Sequence, residues 1–256
     1  RPLVNDPQGY TVQDGVALVP LRGVLAPRMN MVQEASGGSS TELFARDVRN
    51  AMADSSVKAV LLMVDSPGGA VAGTQTAAQT VRSARAIKPI GTYVEGMMAS
   101  AALWIGTAAT PGLVMLSSGT TQAGSLGVVA THVDTSQAEA AAGLRYTEVS
   151  AGAYKRVVSQ HGPLSDAGLE VLQSQVDYLY AQFVEDVAAN RGATVDRVLA
   201  DMADGRMFIG QQAIDAGLAD GIATLDDPGG CRCERPASHV STSRSESPAR
   251  TPYRLR

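Results

Sequence analysis

The segment Gly-Met-Met-Ala-Ser-Ala-Ala-Leu-Trp-Ile-Gly, residues 96–106, sets Ser100 among small side chains directly after a β-type run, Pro89–Val94. Such a setting serves either tight packing or a hydroxyl that a substrate backbone must approach closely. The default role of a serine between strand and helix is the N-cap. A nucleophilic serine there has two further assets. The helix N-terminus favours developing negative charge, and the N–H of Ala101 can join an oxyanion hole. The pattern is not Gly-x-Ser-x-Gly, so the hydrolase nucleophile elbow is not matched. A second source of N–H donors is Ser-Pro-Gly-Gly, residues 66–69. Gly68 and Gly69 just past a buried strand let the backbone turn sharply and expose its N–H groups, although an ordinary strand-to-helix turn uses the same residue types.

A serine nucleophile needs a base. The chain has three histidines, His132, His161 and His239. His239 lies in the C-terminal tail and His161 in a polar loop. His132, in Thr-His-Val-Asp at a strand end, leaves a Ser–His pair open, but a hydrogen-bonded strand-end histidine is the favoured reading. Of 21 basic residues only Lys58, Lys88 and Lys155 are lysines. A guanidinium cannot act as a base near neutral pH, whereas a desolvated ammonium can lose its proton. Lys58 opens a strand and Lys88 precedes Pro89, both exposed positions. Lys155, in Ser-Ala-Gly-Ala-Tyr-Lys-Arg, follows a strand and small residues that would let it point inward. Its plainer role is a solvated loop lysine.

Strands and helices must position these groups. Residues 15–26 read as a strand pair or one bent strand, and the serines of 31–40 can cap a helix over 41–53. The continuous apolar run 58–65 reads as a buried parallel strand. A helix over 72–86, a strand over 89–96 and a short helix from Ser100 follow. Further strands are expected at 113–118, 127–134 and 146–151, with an Ala-rich helix at 136–142. The longest helix starts after Pro163 with Ser165 as N-cap and ends at Arg191-Gly192. Its stripe of Leu169, Leu172, Val176, Leu179, Phe183 and Val187 packs in the core or against another subunit. Two small helices follow, over 194–203 and 210–216. Strands alternating with helices argue for an α/β fold with a largely parallel sheet. Three regions result: a polar lead-in over 1–14, a folded domain over 15–226, and a disordered tail rich in Ser, Pro and Arg over 227–256.

The composition narrows the function classes. The net charge of −4 advertises no nucleic-acid surface. The charge is uneven, with six Arg against two Glu from Pro228 onward. Cys231 and Cys233 both lie in the tail, so no disulfide is expected in the folded part, which fits a reducing, cytoplasmic compartment. No signal peptide or transmembrane run is read. The chain opens at Arg1 without Met, which leaves room for an upstream segment.

Five stretches occur in order: Asp-Ser-Pro-Gly-Gly (65–69), the segment 96–109, Gly-Ser-Leu-Gly-Val-Val (124–129), Ser-Ala-Gly-Ala-Tyr-Lys (150–155), and 205–222. Together they resemble the signal peptide peptidase A family of serine proteases, and most of all its phage and prophage branch of head-maturation proteases. The resemblance spans about residues 15–223. It implies a Ser–Lys dyad on the fold shared by the Clp protease subunit and the crotonases, with flanking helices around the sheet. The family nucleophile falls on Ser100 and the base on Lys155. Gly68 or Gly69, with Ala101, supplies the oxyanion hole. No metal or cofactor is implied. Implied substrates are scaffold or capsid proteins in a procapsid, with portal proteins as further partners, and implied assembly is a homo-oligomer with sites at subunit contacts. The sequence departs from the family in carrying Ala101-Ala102-Leu103 after the nucleophile. Alternatives are a cellular signal-peptide-degrading peptidase, an inactive capsid-assembly protein, and a crotonase-type acyl-CoA enzyme, for which only Glu95 stands near the segment.

Overall fold

A computed structural model describes residues 9–29 and 37–225. The tail assigned to 227–256, with Cys231, Cys233 and His239, lies outside the described residues. Three long strands form the centre of a nine-stranded sheet: β2 (Val16–Ala26), β4 (Ala59–Gly69) and β5 (Ile90–Ala99). They pair in parallel, β2 on β4 and β4 on β5. Their inward residues Leu21, Leu25, Leu62, Val64, Ile90 and Val94 are wholly buried, while Leu18, Leu61 and Tyr93 on the opposite face are only half-buried. Residues 15–26 therefore form one strand, kinked where the register shifts between Arg22 and Val24. Thr11–Gln13, read as polar lead-in, adds an antiparallel edge strand, β1.

Local signals account for the helices. Ser40, in the two-residue strand β3 (Ser39–Ser40), caps helix α1 (Thr41–Ala53) by accepting the Leu43 N–H. Helix α2 (Thr74–Ala84) packs on α1 and on the short helix α3 (Ala101–Gly106), which lies against β4. All six residues of α3 are buried.

Strand β5 forks. Its first half pairs with β6 (Val114–Leu116) and its second half with β7 (Gln122–Gly124). The fork arises where β5 slips against β4: Val64 faces Val94, but two residues later Ser66 faces Met98. Four residues of β5 thus span two of β4. The backbone groups freed by this bulge are satisfied by neighbours. Asp65 accepts the Met97 N–H at 3.1 Å, and the Ser117 hydroxyl donates to the Glu95 carbonyl at 2.7 Å.

Beyond β7 the chain departs from the expected strands. Residues 127–134 and 146–151 are irregular, and every residue from Ala141 to Arg156 is exposed. Only a six-residue helix, α4 (Ser136–Ala141), forms there. The correction has a simple cause. A strand needs a neighbour to pair with, and the places beside β6 and β7 are filled by strands from later in the chain. Strand β8 (Met207–Ile209) pairs antiparallel with β7, and β9 (Gly221–Ile222) pairs with β6. The chain from 127 to 164 closes on itself instead, as an arm. The Thr135 N–H donates to the Gln160 carbonyl at 2.8 Å, and the ring of His161 stacks on Tyr146 at 4.1 Å.

The arm leads into helix α5 (Asp166–Arg191), whose N-cap Ser165 accepts the Gly168 N–H and whose end is the left-handed Gly192. Helices α6 (Val195–Asp201) and α7 (Gln211–Asp215) follow. The apolar stripe of α5 is buried only at its C-terminal end, at Phe183, Val184, Val187 and Ala188. Leu169 and Tyr178, nearer the arm, are 55% and 67% exposed.

Candidate active site

Ser100 sits at the tip of the fork, between β5 and α3. It occupies the N-cap position, but its side chain makes no cap hydrogen bond, so the ordinary role of a serine at a helix start is not the one it plays. Its backbone is unusual: φ is 52° and ψ −120°. Such a conformation costs a side-chain-bearing residue about 1–3 kcal/mol and persists only where the surroundings enforce it. Two hydrogen bonds do so. The Ser100 N–H donates to the Gly124 carbonyl at 3.0 Å, and the Ser100 carbonyl accepts the Trp104 N–H at 3.1 Å.

The two glycines after Ser66 have different tasks. Gly68 has φ of 95°, and a Cβ there would lie 2.7 Å from the Ser100 Cβ and 2.9 Å from the Ala101 nitrogen. Gly69 faces the other way, where a Cβ would run into the backbone of Leu25. Of the expected site residues, the fold therefore brings together Ser100, Ala101 and Gly68, while Gly69 lets β2 approach β4.

Lys155 is elsewhere. It lies in an exposed turn of the arm, with its N–H donating to the Gly152 carbonyl at 3.1 Å. Among the described residues no hydrogen bond joins its amine to Ser100. The expectation that small neighbours let it point inward is corrected: within the single chain every residue from 150 to 156 is exposed. The histidines hold the arm together. The His132 Nε2–H donates to the Ser159 carbonyl at 2.8 Å, and His161 Nδ1 bonds Glu139 at 2.8 Å. Thr135 donates its hydroxyl to the same Glu139 carboxylate at 2.6 Å. That hydroxyl, followed by His161, holds the Glu139 carboxyl below its ordinary range, against an opposing effect of desolvation.

Two residues that sequence patterning did not single out belong to this neighbourhood. Ser66, wholly buried, underlies the Gly68 turn. Ser125 is, with Asp14 and Ser100, one of three non-glycine residues with positive φ among the described residues. Its N–H donates to the Arg206 carbonyl at 2.7 Å, beside the Gly124 that holds Ser100. Backbone strain of this kind has no single-residue signature in a sequence. Glu95 forms an ion pair with Arg22 at 2.7 Å, so it is not the free acid that a crotonase-type site would need.

A family model described as peptidase family S49 matches residues 82–228, more than half of the chain and including Ser100, Ala101 and Lys155. The chain belongs to peptidase family S49. The capsid assembly protease C of Escherichia phage lambda is 33% identical over 220 residues, covering 86% of this chain and 49% of that protein. The head-tail preconnector protein GP5 of Enterobacteria phage P21 is 34% identical over 218 residues, 85% of this chain and 42% of that protein. Protease 4 of Salmonella typhi is 29% identical over 196 residues, 76% of this chain and 31% of that protein. The chain thus spans about half or less of the length of these S49 relatives. The observed α/β architecture, a mostly parallel sheet flanked by helices, agrees with this family. Among the described residues no helix is long and apolar enough to cross a membrane, and no cluster of three or more His, Cys, Asp or Glu side chains could hold a metal ion.

Proposed function

We propose that this chain is a serine endopeptidase that uses a Ser100–Lys155 dyad and processes scaffold or capsid proteins during phage head maturation. The observation that carries the proposal is the enforced backbone of Ser100, with a hydroxyl free of capping duty and a glycine pressed against it. In the reaction the Ser100 hydroxyl attacks the scissile carbonyl, and the neutral Lys155 amine takes its proton. The N–H of Ala101 stabilises the oxyanion. The N–H of Gly68 joins it by exchanging Ser66 for the substrate oxygen. Lys155 then gives the proton to the leaving amine, and water hydrolyses the acyl-serine.

The dyad is completed between subunits. Supporting this are the exposed arm that carries Lys155 and the uncovered N-terminal part of α5 beside it. A second copy covering both would desolvate the lysine, the condition under which its amine works as a base. The phage-type substrate is favoured by the names of the lambda and P21 relatives.

The test is labelling with a serine-reactive fluorophosphonate, followed by mapping of the adduct. The expected result is an adduct on Ser100 and loss of both labelling and proteolysis in Ser100→Ala, with the fold intact by circular dichroism. Full proteolysis by Ser100→Ala would end the proposal.

A further inference from the structure

Trp104 is the chain's single tryptophan, and it connects Ser100 to the long helix α5. Its backbone N–H holds the Ser100 carbonyl at 3.1 Å. Its ring, almost fully buried, stacks on Phe183 of α5 with centroids 4.5 Å apart and planes 6° from parallel. Its indole N–H donates to Asp186 Oδ2, also on α5, at 2.9 Å. The same carboxylate oxygen accepts the Gln75 amide of α2 at 3.2 Å, and Arg82 of α2 stands 4.0 Å from the other oxygen. Three helices therefore meet at one side chain.

We infer that Trp104 and Asp186 are positioning residues, through which the seat of α5 sets the geometry of Ser100. The inference rests on the reading of Ser100 as nucleophile. Apolar packing alone would bury the indole but would not fix it in one direction. A charged acceptor shared by donors from two other helices does, and losing it leaves a buried N–H unpaired. The arrangement matters because α3 has six residues, too few to be stable without its packing partners. The strained Ser100 has to be held from outside, and the hold at its carbonyl runs through Trp104. At the other end α5 projects toward the arm. It has 26 residues, about 39 Å at the helical rise. One rod thus clamps the nucleophile helix at its C-terminal end and continues from the arm that carries Lys155 at its N-terminal end.

The experiment compares Asp186→Ala, Asp186→Asn and Trp104→Phe in the full chain, by kcat, KM and the rate of Ser100 labelling. In Asp186→Ala and Trp104→Phe, kcat and labelling should fall about 10- to 100-fold with KM little changed, the size expected of a misplaced reacting group. Asp186→Asn still offers an oxygen to the indole N–H and should recover most of the loss. The double variant Trp104→Phe/Asp186→Ala should be no worse than either single one. Wild-type kcat in Asp186→Ala, or an Asp186→Asn as impaired as Asp186→Ala, overturns the inference. Amide exchange over residues 99–106 reads the same link without catalysis. Faster exchange in Asp186→Ala, restored in Asp186→Asn, is expected. Unchanged exchange overturns the inference even if Ser100 proves not to be the nucleophile.

Discussion

Ser66 accepts the N–H of Gly68 at 3.1 Å on a hydroxyl that itself donates to the Gly23 carbonyl at 2.6 Å. The turn beside Ser100 is thus tied through one buried side chain to the kink in β2, where the register shifts. Gly68 is held by Ser66 on one side and crowded by Ser100 and Ala101 on the other.

Gly68→Ala and Gly69→Ala should fail differently. Gly68→Ala places a methyl between the nucleophile and its oxyanion donors, so kcat should fall about 100-fold or more, the cost of losing one such donor. Gly69→Ala pushes on the Leu25 backbone and should destabilise the fold by about 1–3 kcal/mol, as an overpacked site does, read as a lower urea midpoint before the chemistry is touched. Equal effects of the two changes on kcat at equal stability would contradict the division of labour.

The identity of the base separates cleanly by substitution. Lys155→Arg keeps the charge but cannot release a proton, so it should be as inactive as Lys155→Ala, each losing at least about 100-fold in kcat. His132→Ala removes only the bond to the Ser159 carbonyl and should retain activity with a less protected arm. An active Lys155→Arg together with a dead His132→Ala would make the pair Ser–His.

Complementation tests where the dyad is assembled. Subunits of Ser100→Ala and Lys155→Ala are inactive alone. Mixed under conditions of subunit exchange, they should regain roughly a quarter of wild-type activity, since each contributing neighbour is suitable half the time. Verified exchange with no recovery would place both residues in one chain.

The arm should loosen in acid. The Glu139 carboxyl is held below its ordinary range, first by the Thr135 hydroxyl and then by His161, with desolvation and Asp134 opposing. A carboxyl with a depressed folded value contributes its full stability above the unfolded value, about 4.3, and loses it as pH falls through the folded value. Hydrogen exchange over 135–161 should therefore speed up as pH drops below the ordinary glutamate range, after correction for intrinsic rates. Glu139→Gln should show faster exchange at neutral pH and little further change. An arm with the same acid response in Glu139→Gln would place the sensitive group elsewhere.

The sequence by itself determined whatever is encoded within a few neighbouring residues. A continuous apolar run marked β4, a β-type run marked β5, and serines at the right offset marked the starts of α1 and α5, because caps and periodicity are local interactions. Ser100 stood out for the same reason: its small neighbours are adjacent in the chain. Only the tertiary structure decided the rest. Gly68 and Gly69 are indistinguishable as letters, and their roles part because Ser100 lies on one side of the turn and Leu25 on the other. The stretches 127–134 and 146–151 carry β-forming residues, yet a strand forms only beside a partner, and the places next to β7 and β6 go to β8 and β9 from later in the chain. The apolar stripe of α5 could not say where its burial stops. That depends on how far the body of the fold reaches along the helix: Tyr180 packs half-buried against the core, and the fully buried residues run from Phe183 to Asn190, apart from Gly168 in the first turn.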